Sequence, residues 1–315
     1  MMKLGAFIVP TGVGASIGGF AGDASLYARK FAQKSKLIVN PNVVNAGCFS
    51  GITENMLYVE GYSLDCFFKG NLCLVEQSCP NKIGVVFDKS ISQGVLNVHI
   101  NTINAVKTVY GLNIIGYEIT EEDVGVEFVI GESGASTGSV KNIDTVIKSA
   151  KNLQNQGANA IAIVCRFEED INDDYSNGIG VDPVGGVEAI ISHAVSKELK
   201  IPCAHSPAFE DTTIEQRIVD ARCSAEYITP TFLPCILIGL SQAPQLGTKG
   251  LSINDLDYLV MPYNSLGSIP VFESLKRNIP IYAIKENSTV LDITKKNISD
   301  KIIEVETYEE ALSLI

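Results

Sequence analysis

The chain is predicted to be an α/β protein with a mostly parallel sheet and helices on both faces, Rossmann-like and open to a division into two lobes. Three observations predict it. Short β-branched runs alternate with longer amphipathic stretches, glycine- and hydroxyl-rich loops follow several of those runs, and 46% of the 315 residues are apolar, enough for a sizeable buried core.

The strand runs come first in the argument. They are expected at residues 4–9, 37–39, 83–87, 113–117, 126–130, 160–165, 258–261 and 281–284. Between the fifth and sixth, residues 139–156 place Val140, Ile143, Val146, Ile147, Ala150 and Leu153 on one stripe, with Lys148 and Lys151 on the opposite side. That spacing predicts an amphipathic helix stopped by Gly157, so the economical reading is a series of βαβ units. Turn-rich or aperiodic seams are expected around 170–180 and 242–254. They suggest a main α/β domain over 1–245 and a C-terminal α/β segment over 246–315, packed on the same or a second sheet. The apolar segment from Phe232 to Leu240 makes a homo-oligomer, most simply a homodimer, reasonable.

Charge and cysteine usage exclude several functions. With 24 Lys+Arg against 36 Asp+Glu, a formal net charge of −12 and no basic cluster, the chain is not expected to bind nucleic acid. No stretch is long and apolar enough for a membrane span, and the N-terminus turns polar too soon for a secretory signal, so a cytoplasmic protein is expected. The eight Cys are dispersed without a CxxC pair, which suits reduced thiols better than a zinc ribbon or a disulfide scaffold. No metal-ligand spacing is present, and neither metal nor cofactor is expected.

In open α/β sheets the ligand lies beyond the carboxyl ends of the strands, so the residues after each run are the informative ones. After the first run come five glycines between Gly12 and Gly22, with Thr11, Gly12, Gly14, Ser16, Gly18, Gly19 and Asp23 as candidate ligand contacts. Closely spaced glycines let backbone N–H groups approach an anion; tight strand–helix packing is the plainer explanation. Asn42, Asn45 and Glu60 follow the second run, where Asn could equally serve a turn. Gly131 to Ser139, read as the start of the helix, offers Ser133, Ser136, Thr137 and Gly138 as an oxyanion site or an ordinary N-cap, with Glu132 as a general base.

The densest region runs from Gly178 to Pro207. Asp182, Gly185 and Gly186 are expected to hold a ligand at a helix start, with Glu188 one turn on, while His193, five residues after Glu188, cannot share its face. His205 closes a further strand. Glu188, His205 and Glu132 are the candidate catalytic groups. Cys165 and Cys203, each at a predicted strand end, offer a different chemistry: two thiols could move a proton from opposite sides of one substrate carbon.

The segments Pro10–Ala24, Asn40–Ala46, Tyr58–Asp65, Gly180–His193, Pro202–Ala208 and Thr231–Pro244 together resemble a domain-of-unknown-function family covering nearly the whole chain. More remotely, Gly131–Gly138, Asp182–Ile190, Ile201–Pro202 and Ser224–Glu226 are similar to the nicotinate-nucleotide:dimethylbenzimidazole phosphoribosyltransferases. That resemblance implies a nucleotide phosphate framed by the Gly131 loop and the Gly185 helix. It departs at Leu246–Gly250, where the Glu of the family's late glycine-rich segment is missing. The strand-end cysteines and the Asn40–Pro41–Asn42 turn resemble the aspartate/glutamate racemase group.

The expected function is therefore a cytosolic enzyme acting on a small anionic, phosphate- or carboxylate-bearing metabolite, by glycosyl or phosphoribosyl transfer. The alternatives are a cofactor-independent racemase using Cys165 and Cys203, and a non-catalytic metabolite-binding protein.

Overall fold

Residues 2–168 and 175–315 are described by the computed structural model of the chain. Part of the acidic seam around 170–180 lies outside the described residues. The main strands are β1 (Lys3–Phe7), β2 (Ser35–Val39), β3 (Met56–Tyr58), β4 (Ile83–Phe87), β5 (Ile114–Ile119), β6 (Val126–Ile130), β7 (Ser136–Val140), β8 (Ala160–Arg166), β9 (Cys203–Ala208), β10 (Leu256–Pro262), β11 (Ile281–Ile284) and β12 (Ile303–Val305). The main helices are α1 (Ser25–Ala32), α2 (Gly61–Phe68), α3 (Gln93–Tyr110), α4 (Ile143–Asn155), α5 (Gly185–Leu199), α6 (Leu233–Gln242), α7 (Ile269–Lys276) and α8 (Tyr308–Leu314).

Every β-branched run picked out in the sequence overlaps a strand, although the first ends at Phe7 and not Val9, and the class is α/β. The parallel strands divide between two sheets. The larger has the order β12-β11-β10-β1-β2-β3, and the smaller β9-β8-β4-β5, each parallel throughout. Counted along the chain, the larger sheet follows the 3-2-1-4-5-6 order of doubly wound folds, whose ligand crevice opens beside the first strand. Everything from Val59 to Asp255 is inserted between its third and fourth strands. Residues 246–315 contribute β10–β12 to the sheet of β1, so the two ends of the chain build one sheet and the middle builds the other.

Close approach explains one glycine in this sheet. Gly5 stands opposite Tyr258 in the β1–β10 register, and a Cβ there would lie 2.1 Å from the Tyr258 ring. The bare backbone lets that ring cross β1 and reach the Ser35 hydroxyl.

Three apolar clusters hold the layers. One lies on the outer face of the larger sheet with α2 and α7, one on the outer face of the smaller sheet with α4 and α5, and the largest joins α1, α3 and α6 to the inner faces of both. Helix α6 is central to the last: Leu233, Cys235, Ile236, Leu237 and Leu240 are all buried, and it packs on β8, β9 and β3. The apolar segment that suggested a dimer contact is thus core. No described helix is long and apolar enough to cross a membrane.

The helix expected over 139–156 begins at Ile143. Residues 136–140 instead form β7, antiparallel to β6, in a hairpin with its turn at 131–135. The hydroxyl-rich loop is therefore not a helix start. Periodicity misled because Val140 continues the apolar stripe of α4, although its backbone pairs with Val126.

Candidate functional site

A cavity of about 130 Å³ opens at the carboxyl ends of β1, β2 and β9 and at the N-terminal ends of α5 and α6. Thr11, Asn42, Asn45, Asp182, Glu188, His205 and Glu226 supply its polar wall, and Tyr175, Phe209 and Phe232 much of the rest. It adjoins a wider pocket of about 360 Å³, with which it shares Tyr175, Asp182, Val184, Phe209, Glu226 and Phe232.

The start of α5 is occupied by the protein's own groups. The Asp182 carboxylate accepts from the backbone N–H of Val184 at 3.1 Å and from that of Gly185, and the Ser136 hydroxyl accepts from Gly186 N–H at 3.1 Å. Ser136 is fixed in turn, its N–H donating to Gly12 O at 2.8 Å. Only glycine fits at two of these contacts: a Cβ on Gly12 would lie 2.4 Å from Ser136 Oγ, and one on Gly186 would lie 2.1 Å from Ser136 O. The anion expected at this helix end is Asp182 itself.

Burial sets the protonation of the acidic groups. Glu188 is 5% exposed, and burial pushes its carboxyl well above the usual range, with Asp182 and Glu226 adding like charge. Burial also raises Glu226 to about 8, again with help from Asp182. Asp182 is raised by burial too, but its two N–H bonds work the other way, so it is the member best suited to hold a charge. Asp182 and Glu226 are half-buried and line the cavity and the adjoining pocket. Like charges crowded in a low dielectric favour the neutral forms of Glu188 and Glu226.

His205 completes the inner wall. Its Nδ1 lies 2.9 Å from Ser192 Oγ, whose own proton is directed at Ala189 O, 3.2 Å away. Nδ1 then carries the ring proton and Nε2 presents a lone pair, 4.0 Å from Glu188 Oε2. Burial, and next the nearby His193, lower His205 to about 3. At 4.0 Å the two groups fall short of a hydrogen bond. Among the described residues Glu188 Oε1 has no hydrogen-bond partner, and Asn45 Oδ1 is likewise buried without one.

Several predicted residues are elsewhere. Glu60 caps α2 by accepting from Tyr62 N–H and Ser63 N–H, each at 2.9 Å, and its carboxylate is 3.9 Å from His193 Nε2. His193 therefore faces α2, as its offset from Glu188 requires. Ser16 and Gly18 serve the glycine-rich loop itself: Ser16 Oγ accepts from Ser288 N–H at 2.9 Å, and Gly18 N–H donates to Asp23. Asp23 is raised to about 6 by burial against the pull of that bond and of Arg222. Gly14 packs on Val181 and Gly180, and Gly19, whose flank lines the cavity, packs on Ala15. Glu132, Ser133 and Thr137 are exposed on the hairpin, whereas Gly138 packs against Glu127 and Val187.

Cys165 and Cys203 do not face one another. The parallel register sets Cys203 opposite Ile161 and Cys165 opposite Pro207, four residues apart or ~13 Å at the usual strand rise. Burial raises both thiols well above their ordinary range. Two thiols so separated and so protonated cannot flank one carbon.

Sequence reasoning missed Tyr175, Phe209 and Phe232 and assigned Glu226 no role. Glu226 lies on the short helix Ser224–Tyr227, whose Ser-Ala-Glu was the one available signal. Among the described residues no group of three or more His, Cys, Asp or Glu is arranged to hold a metal ion.

A family described as "Protein of unknown function (DUF3326)" matches residues 5–315. A curated protein of Synechococcus sp., named as an uncharacterized lipoprotein, is 35% identical over 316 residues, covering 97% of this chain and 88% of that protein. No solved structure matches.

Proposed function

The chain belongs to the DUF3326 family, and we propose that it is an enzyme whose inner cavity performs acid–base chemistry on a small polar metabolite. The observation that carries the reading is Glu188, whose Oε1 has no partner among the described residues and whose Oε2 lies 4.0 Å from His205 Nε2, in the same cavity as Asp182. A buried polar atom left unsatisfied costs about 1–3 kcal/mol, which a ligand hydroxyl or amine would offset. In this reading Glu188 is the acid and His205 the base. Neutral Glu188 donates to the departing atom, and the carboxylate left behind raises the basicity of His205, which takes the next proton from the ligand.

An anionic group on the metabolite would find no cation to pair with among the cavity's described lining residues. Among the described residues neither Lys nor Arg lines the cavity, and Asp182 already fills the α5 terminus. Ribosyl hydroxyls suit the orphaned acceptors better than a phosphate does.

The cytoplasmic setting and a homo-oligomer belong to the same proposal. Eight free cysteines suit a reducing compartment, while the Synechococcus relative is named as a lipoprotein, so cell fractionation decides. Exposed Ile115, Tyr117 and Ile119 on edge strand β5 support self-association, which light scattering measures.

The test begins with thermal stabilisation against sugars, polyols, their phosphorylated counterparts, nucleotides and amines. A ligand at a hundredfold its Kd adds about 2.7 kcal/mol of stability. Glu188→Gln then keeps the shape and removes the exchangeable proton. Turnover should fall by roughly 10²–10⁴ with binding retained. Binding without turnover in the wild type marks a metabolite-binding protein instead, and a silent panel refutes the cavity as a ligand site.

A further inference from the structure

Resting on the reading of the inner cavity as a ligand site, we propose that the substrate is an amine with an apolar body, its ammonium among the inner carboxyl groups and its body in the adjoining outer pocket. The two spaces are continuous, because Tyr175, Phe209, Glu226 and Phe232 line both. Their charged lining has one sign. Asp182, Glu188 and Glu226 face the inner cavity and Asp211 and Glu215 the outer pocket, Glu215 paired with Arg217 at 2.9 Å, and neither Lys nor Arg is among the described lining residues of either. Glu188 and Glu226, which burial keeps protonated in the free protein, give up that proton to face an entering ammonium. Carboxylates in a cleft with low-dielectric walls focus a field that draws in cations.

The cation is organic. Among the described residues the acidic groups do not converge as metal ligands, whereas an ammonium reaches separated acceptors through three N–H donors. Glu188 Oε1 points to such a ligand independently of the charge count: Glu188 is 5% exposed and lines the inner cavity, and among the described residues this oxygen has no hydrogen-bond partner. Asn45 Oδ1 is a second acceptor without a donor on the same wall. An ammonium, which donates three bonds and accepts none, complements two orphaned acceptors better than a hydroxyl, which donates one. The rings of Tyr175, Phe209 and Phe232, which line both spaces, add apolar contact.

The experiment is calorimetric titration of the full chain with phenethylamine, its neutral isostere phenethyl alcohol and the anion phenylacetate. The amine is expected to bind about tenfold or more tightly than the alcohol, and phenylacetate not to bind. Thr213→Trp, which fills the outer pocket alone, is expected to weaken the amine about tenfold. The chain has no Trp, so the new side chain also reports occupancy by its own emission. Equal binding of alcohol and amine, tighter binding of phenylacetate, or silence from all three overturns the amine inference. Amine binding unchanged in Thr213→Trp overturns the outer-pocket placement. The inner-cavity reading stands or falls separately, on the sugar and polyol panel and on Glu188→Gln.

Discussion

Glu226→Gln asks whether the cavity holds its carboxyl groups protonated. Burial and the Asp182 charge raise Glu226 from its ordinary 4.5 to about 8, so between those limits the folded protein keeps a proton that the unfolded chain releases. The sign follows from linkage. A folded-state pKa above the unfolded value gives stability that is complete below the unfolded pKa and is lost as pH rises through the folded one. Each unit of that interval corresponds to about 1.4 kcal/mol, or ~5 kcal/mol for a group sealed from solvent. Glu226 meets solvent through the cavity, which discounts the figure to about 2–3 kcal/mol. Gln should keep the hydrogen bond from Tyr175 while removing the titration. Melting temperatures of both proteins at about pH 6 and about pH 9 are the assay; about 1–2 kcal/mol of that figure falls between them, so the wild type should lose roughly 2–3 °C more than the variant. Parallel shifts in the two proteins would refute the protonated-cavity account.

Three further outcomes are expected. His205, lowered to about 3, should stay neutral across the physiological range, so its ring carbon-bound proton should show no NMR titration step between about pH 5 and about pH 8; a midpoint there contradicts the burial argument. Gly12→Ala, with φ at +72° and a new Cβ 2.4 Å from Ser136 Oγ, should cost about 2–4 kcal/mol in urea unfolding, whereas Gly94→Ala in α3, with open space around it, should gain about 0.5–1. A disulfide reagent should label exposed Cys79 first and reach Cys165, Cys203, Cys223 and Cys235 only on unfolding, read by mass spectrometry; early labelling of Cys165 or Cys203 would reopen a thiol role.

The legible part of the fold was the alternation of strands and helices. Runs such as Ile83–Phe87 and Ala160–Arg166 are buried along nearly their whole length, which is how parallel strands between helix layers read. The illegible part was pairing. Nothing local tells β10 to join β1 across some 250 positions, and the β6–β7 hairpin was hidden because Val140 fits the helical period of α4. Within the site, Asp182 and Glu188 were legible because they open a helix and Asn45 because it follows β2, whereas His205, expected after a strand, lies inside β9. Glu60 and His193 were equally good candidates by that rule and turn away from the cavity.

Sequence alone determined the α/β class, the acidic charge balance and the places where glycines let backbones approach, since all three depend on residue type and local spacing. Tertiary structure decided which candidates meet. It brought Tyr175 and Glu226 to Asp182 and Glu188, parted Cys165 from Cys203 through the strand register, and filled the α5 terminus with the protein's own carboxylate. It also decided the protonation states, because a carboxyl group's pKa depends on the water and charge around it, and those are properties of the folded neighbourhood.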